Sequence, residues 1–110
     1  MTSGFHFLMV VFGQNVSTGS CLSGLCRGID KVPGCTVINT TNAENTLVGM
    51  GFGLMLKGVS SIFFMKQQDF LLLGIDQLTN TWNALRNRPV TASFTIVAVV
   101  VDSGYEGPQS

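Results

Sequence analysis

The chain has 110 residues, of which 45% are apolar and only 11% charged, with six basic and six acidic side chains and a formal net charge of zero. That length supports one small core, the apolar content excludes a disordered chain, and the charge balance excludes the basic face that nucleic acid demands. A charged fraction well below the roughly 25% of ordinary soluble domains reads as surface to be covered by a partner chain or by further sequence.

Cys21, Cys26 and Cys35 lack the spacing of a zinc site, and His6 is the sole histidine, so no metal-ligand set is expected. Reduced, half-buried thiols suit a cytoplasmic protein. The first residues lack the basic segment and cleavage site of a signal peptide. The apolar run from Leu47 to Met65 approaches the length of a membrane span. Lys57 near its centre would cost about 2.5–3.5 kcal/mol there, and Gly58, Ser60 and Ser61 break the run, so no membrane is expected.

In chain order, Phe7 to Phe12 is a continuous apolar run closed by Gly13, the pattern of a strand buried on both faces. Residues 17–32 are rich in Gly and Ser, with Leu22, Leu25 and Ile29 at the spacing of a short, weak helix that Pro33-Gly34 ends. Cys35 to Asn39 reads as a second strand. A helix follows, with Thr41 or Asn42 as N-cap, a Thr41-x-x-Glu44 capping box, Lys57 in the last turn and Gly58 beyond it. Gly49, Gly51 and Gly53 each cost this helix about 0.8–1 kcal/mol relative to Ala, which calls for another backbone or a ligand close by.

Val59 to Met65 is a third strand, Lys66-Gln67-Gln68 a polar turn, and Asp69 an expected N-cap. From Phe70 to about Arg86 the periodicity predicts the longest helix, with Leu71, Ile75, Leu78, Trp82 and Leu85 as a core or interface stripe. Asn87-Arg88-Pro89 stops it, Phe94 to Val101 is a β-branched and apolar strand, and the polar tail has no period. Alternating helices with nearly all-apolar strands predict one α/β domain over residues 1–110. Its expected architecture is a three-layer, mostly parallel sheet with helices on both faces. Ligands of such sheets bind at the carboxyl ends of the strands. Three polar strand ends qualify: Gly13-Gln14-Asn15, Thr40 to Glu44, and Lys66 to Asp69.

The glycine run does not match the G-x-G-x-x-G dinucleotide fingerprint and lies within a helix, which favours close packing over phosphate binding. Glu44 reads in two ways: as a cap at a helix N-terminus, or as a carboxylate held at a strand end to bond a ligand nitrogen. Phe70 reads either as core or as an aromatic face for a planar ligand.

Two stretches together carry a family resemblance. Glu44-x4-Gly49-x3-Gly53-x4-Gly58, followed after a strand by Asp69-Phe70-x4-Ile75-Asp76-Gln77-x2-Asn80, resembles the pyrimidine-binding domain of thiamine-diphosphate enzymes. The likeness is closest to the beta subunit of 2-oxo-acid dehydrogenase decarboxylases and extends to transketolases. Val11-Phe12-Gly13-Gln14-Asn15-Val16 is similar to that subunit's hydrophobic-Gly-Glu-Asp-Val strand end, and the likeness spans roughly residues 8 to 110.

The resemblance implies a partial thiamine-diphosphate-binding fold, incomplete at the C-terminus. Glu44 would hydrogen-bond the cofactor's pyrimidine nitrogen and so assist removal of the thiazolium proton, which makes it the catalytic residue. Phe70 would stack on the aminopyrimidine. The family's G-D-G…N site for diphosphate and Mg²⁺ has no match here. The resemblance therefore implies a shared cofactor, with Mg²⁺ bound by a partner, either an alpha-type subunit or a second copy across a dimer interface. The implied reaction is 2-oxo acid decarboxylation or ketol transfer from a ketose. Lys66 stands where the beta subunit has a hydrophobic residue, Phe64 where it has an acidic one, and the tail lacks its histidine. A catalytically silent interaction module with the same fold is the alternative.

Overall fold

Four short strands, β1 (Met9–Gly13), β2 (Cys35–Asn39), β3 (Ser60–Met65) and β4 (Phe94–Ala98), form one sheet in the order β2-β1-β3-β4. The computed structural model describes residues 8–19, 21, 22 and 24–100. Phe7 and Val101, which the expected first and last strands include, lie outside these residues, as do His6 and the tail 102–110. Every pairing is parallel, with Val11 beside Val37 and Ile62, and Phe63 beside Ile96. The expected α/β architecture is the one the chain adopts. β1, central in the order and apolar, buries Val11, Phe12 and Gly13 completely or nearly so, as a strand covered on both faces must.

Alternation along the strands divides the core in two. Phe12, Phe63 and Met65 face one side with Leu47, Val48, Phe52 and Met55 of helix α1 (Glu44–Leu56). Val11 faces the other side, with Val16, Leu22 and Cys26. Aromatic rings tie the first side together. Phe12 stacks on Phe63 at 5.1 Å and on Phe94 at 6.4 Å, and Phe52 meets Phe94 edge-on at 5.2 Å.

The second face differs from its expected helix. Residues 17–32 form turns, and their one helical piece among the described residues is the 3₁₀ turn Ile29–Lys31. Gly24 and Gly28 sit in the left-handed region, and so do Cys21 (φ 50°) and Leu22 (φ 54°). Runs of αR geometry cannot pass through such residues. Leu22 still reaches the core, whereas Leu25 is 62% exposed.

The longest helix is α1, not the segment after β3. Residues 68–85 are helical in pieces: a 3₁₀ segment Gln68–Gly74, a π-type run Gln77–Thr81, and a single α turn, α2 (Trp82–Leu85). Their stripe splits accordingly. Leu71, Leu78 and Leu85 pack on the core, while Ile75 and Trp82 are exposed, because the 3₁₀ and π pieces shift the 3.6-residue period. Asp69 is not the cap: Gln67 holds that position, with extended backbone.

At the end of α1 the expected Gly58 stop is present, while Lys57 is the C-cap and not part of the last turn. Gly58 takes φ +80°, its N–H donates to the Met55 carbonyl at 3.1 Å, and the Val59 N–H donates to the Leu54 carbonyl at 2.9 Å, a Schellman closure. The helix glycines have separate reasons. A Cβ on Gly51 would lie 2.2 Å from the Phe94 ring, one on Gly49 would lie 3.4 Å from the Gln77 side chain, and one on Gly53 would meet nothing within 4 Å. Gly51→Ala is therefore expected to destabilise the chain by about 1–3 kcal/mol through overpacking. Gly53→Ala is expected to stabilise it by up to about 1 kcal/mol through helix propensity. Urea unfolding of the two variants measures both, and equal signs would refute the assignment.

Candidate functional site

Parallel pairing puts all strand carboxyl ends on one edge. Gly13 is in register with Asn39 and with Phe64, so the three polar strand ends picked from the sequence come together there. With strands about 4.8 Å apart, the ends of β2 and β3 flank that of β1 at roughly 10 Å from each other. The edge is knit by backbone and side chain. The Thr40 N–H donates to the Gly13 carbonyl at 2.9 Å, and the Gln68 N–H to the Val99 carbonyl at 3.0 Å. The Ser17 N–H donates to Asn39 Oδ1 at 2.9 Å, and Asn39 Nδ2 returns a bond to Ser17 Oγ at 2.8 Å.

Glu44 lies where β2 gives way to α1. The capping box does not form: Ala43 is the N-cap, no side chain caps the helix, and the Ala43 carbonyl accepts the Leu47 N–H at 2.8 Å. Glu44 is thus the first helical residue and not the third, two positions short of where a reciprocal cap could reach. Its side chain is 9% exposed. Among the described residues no hydrogen bond or ion pair engages its carboxylate. The free N–H groups of the first turn supply its one local electrostatic support.

Phe70 stands on the 3₁₀ segment Gln68–Gly74, half-buried against the cluster of Phe12, Leu47 and Val48. That segment packs directly on α1. The contact is made at Gly74, a residue sequence reasoning passed over. A Cβ there would lie 2.7 Å from Val48 Cγ2 and 3.5 Å from the Glu44 carbonyl oxygen. Gly74 thereby lets the element bearing Phe70 close on the turn bearing Glu44. Its signal in the sequence was slight, a lone glycine amid an apolar run. Two further polar atoms at this edge, Thr40 Oγ1 and Gln67 Oε1, are buried without a partner. Both fall within the polar strand ends picked from the sequence, where nothing singled out either residue. Asp69 and Lys66 are exposed.

Such an arrangement presents a buried acceptor, unpaired polar oxygens and an aromatic side chain on adjoining elements, which suits a planar heterocycle carrying ring nitrogens and an amino donor. No group of three potential metal ligands occurs among the described residues. An apolar cavity of about 520 Å³ lies elsewhere, between Phe52, Met55, Leu78, Trp82, Phe94 and Ile96. Phe52 is about 12 Å along the helix from Glu44, and no chemically reactive side chain lines the cavity. No helix among the described residues is long and apolar enough to cross a membrane.

Over 100 residues the chain is 31% identical to the chloroplastic pyruvate dehydrogenase E1 component subunit beta-3 of rice, Oryza sativa subsp. japonica, and 30% identical to the subunit beta-4 of the same plant. Each alignment takes in 90% of this chain and 25% of the relative. The chain therefore spans about a quarter of the length of the curated relatives it matches. No family model matches the chain, and no solved structure does. The similarity to these beta subunits agrees with the family resemblance carried by the Glu44 and Phe70 stretches.

The geometry separates folding from function at this edge. Gly74→Ala is expected to lower stability by about 1–3 kcal/mol, because Val48 must shift to admit a methyl group. Glu44→Gln, which breaks no bond within the described chain, is expected to change stability by less than about 1 kcal/mol. Thermal or urea unfolding of the pair checks this, and a large loss in Glu44→Gln would reveal a structural partner for the carboxylate.

Proposed function

We propose that this chain supplies the pyrimidine-binding part of a thiamine-diphosphate-dependent enzyme of the 2-oxo-acid dehydrogenase beta-subunit type. The observation that carries the reading is Glu44, a buried carboxylate without a partner among the described residues, at the first position of α1, in a turn that packs on the segment bearing Phe70. A structural carboxylate at nine-tenths burial ordinarily has hydrogen-bond partners. One left open at the carboxyl edge of a parallel sheet is positioned for a ligand.

In this reading Glu44 accepts or shares a proton at the pyrimidine ring nitrogen, and Phe70 lies against the ring face. Thr40 Oγ1 and Gln67 Oε1 are available to the amino group. Partial burial strengthens the hydrogen bond of Glu44 to the ring relative to one in open water. When bound, thiamine diphosphate supplies the carbon nucleophile that attacks a 2-oxo acid or a ketose; the protein supplies placement and the carboxylate. Diphosphate and Mg²⁺ fall to a partner, an alpha-type subunit or a second copy, in a reducing compartment such as the cytoplasm. Residues 1–110 then act as one pyrimidine-binding-like domain.

A second reading has an observation of its own. Leu72 is 73% exposed, and Leu73 and Ile75 are more than half or half exposed beside it, so the chain has an apolar surface to offer a partner even if it never meets cofactor. The two readings part on Glu44. Reconstitution with an alpha-type chain, thiamine diphosphate and Mg²⁺ allows exchange of the thiazolium proton to be followed by NMR in deuterated water. Glu44→Gln is expected to slow that exchange by about 10²- to 10⁴-fold, the usual worth of a positioned proton-transfer group. An unchanged exchange rate in a complex that still assembles would leave the interaction module.

A further inference from the structure

The face of the sheet opposite α1 holds chemistry that the proposed site does not use. Cys21 and Cys26 are free thiols in the turn-rich connection between β1 and β2, and the Cys26 N–H donates to the Cys21 carbonyl at 3.1 Å. Adding that separation to standard backbone lengths keeps the two Cα atoms within about 7 Å of each other, the range a disulfide can bridge. The turn is set by backbone, with Cys21, Leu22 and Gly24 all at positive φ, and it is anchored by Leu22, which is buried in the cluster of Val11, Val16 and Cys26. Access differs between the pair. Cys21 is half-exposed, with its thiol directed to the Gly19 carbonyl, and Cys26 is buried. Cys35 is a third free thiol, on β2, packed against the same cluster.

We infer that Cys21 and Cys26 are a redox-modification site, at which a low-molecular-weight disulfide such as oxidised glutathione is exchanged for an intrachain disulfide. The Cys21 thiolate attacks one glutathione sulfur, forming a mixed disulfide and releasing one glutathione thiolate. The Cys26 thiolate then attacks Cys21 Sγ, forms the Cys21–Cys26 bond and releases the second glutathione thiolate. The two protein protons pass to the two released thiolates. Two protein thiols are oxidised, one small disulfide is reduced, and no other oxidant is consumed. The roles follow from access: the half-exposed sulfur meets the small molecule and the buried one resolves it. Burial and the neighbouring Cys21 push the Cys26 thiol above its usual range, which slows resolution and allows the mixed disulfide to be caught on the way.

The test uses the full chain equilibrated with mixtures of oxidised and reduced glutathione, then alkylated and digested for mass spectrometry. Wild type and Cys35→Ser are each expected to lose two alkylatable thiols and to yield a peptide containing Cys21 and Cys26 that is lighter by two hydrogens and free of glutathione. Cys26→Ser is expected to stop at glutathione on Cys21. The same equilibrium measured in strong urea reports what the short spacing achieves in an unfolded chain. The folded chain is expected to favour the ring by about tenfold or more, as an effective concentration set by the turn. A ring no more favoured than in urea, a bond to Cys35, or a glutathione adduct persisting on wild-type Cys21 would overturn the inference.

Discussion

The height at which α1 rides above the sheet is set by one contact, the Phe94 ring beneath Gly51. The ring occupies the space of a Cβ and is itself held by Phe12 and Phe52. The helix therefore rests backbone against ring at that point, and cannot rise or slide without opening a void in a close-packed interior. Fixing the helix there fixes its first turn. Because β2 is parallel to β1, the helix that follows it must begin at the carboxyl edge, and Glu44 arrives at that edge buried. The catalytic reading of Glu44 depends on this seating more than on any bond the carboxylate makes.

A second close approach completes the edge. Gly74 against Val48 brings the 3₁₀ segment onto the same turn of α1, so the elements carrying Phe70 and Glu44 are joined by contacts that tolerate almost no added volume. Asn39 and Ser17 satisfy each other, and Asn80 Nδ2 bonds Asp76 Oδ1 at 2.7 Å, whereas Thr40, Gln67 and Glu44 are left without partners. Buried polar atoms without partners carry a free-energy cost. Among the described residues Thr40 Oγ1 and Gln67 Oε1 carry it where parallel sheets bind ligands, and Ser61 Oγ carries it near the start of β3, at the opposite end of the strand.

The two faces of the sheet divide the labour. The α1 face is aromatic and close-packed, and it controls the candidate site. The opposite face is closed by turns whose left-handed residues hold Cys21 and Cys26 near each other, with Val11 and Val16 sealing the cluster. β1 links the two, since Val11 belongs to one cluster and Phe12 to the other.

Strand positions, their parallel association and the end of α1 were legible in the sequence, because apolar runs, Gly58 and helical spacing act over a few residues. The joint role of Glu44 and Phe70 was suggested only by a family likeness, and the structure adds that the segments bearing them pack together at Gly74. The start of α1 was not, because Thr41 and Asn42 offered good caps that the path out of β2 left exposed. Nor was the broken helix after β3, where the regular stripe of Leu71, Ile75, Leu78, Trp82 and Leu85 concealed 3₁₀ and π geometry. The sequence by itself determined an α/β chain with a carboxylate near a helix start. The tertiary structure alone decided that this carboxylate is buried and, among the described residues, unpaired, and which glycine of α1 meets a ring. Both depend on contacts between residues far apart in the chain, and local periodicity carries no information about those.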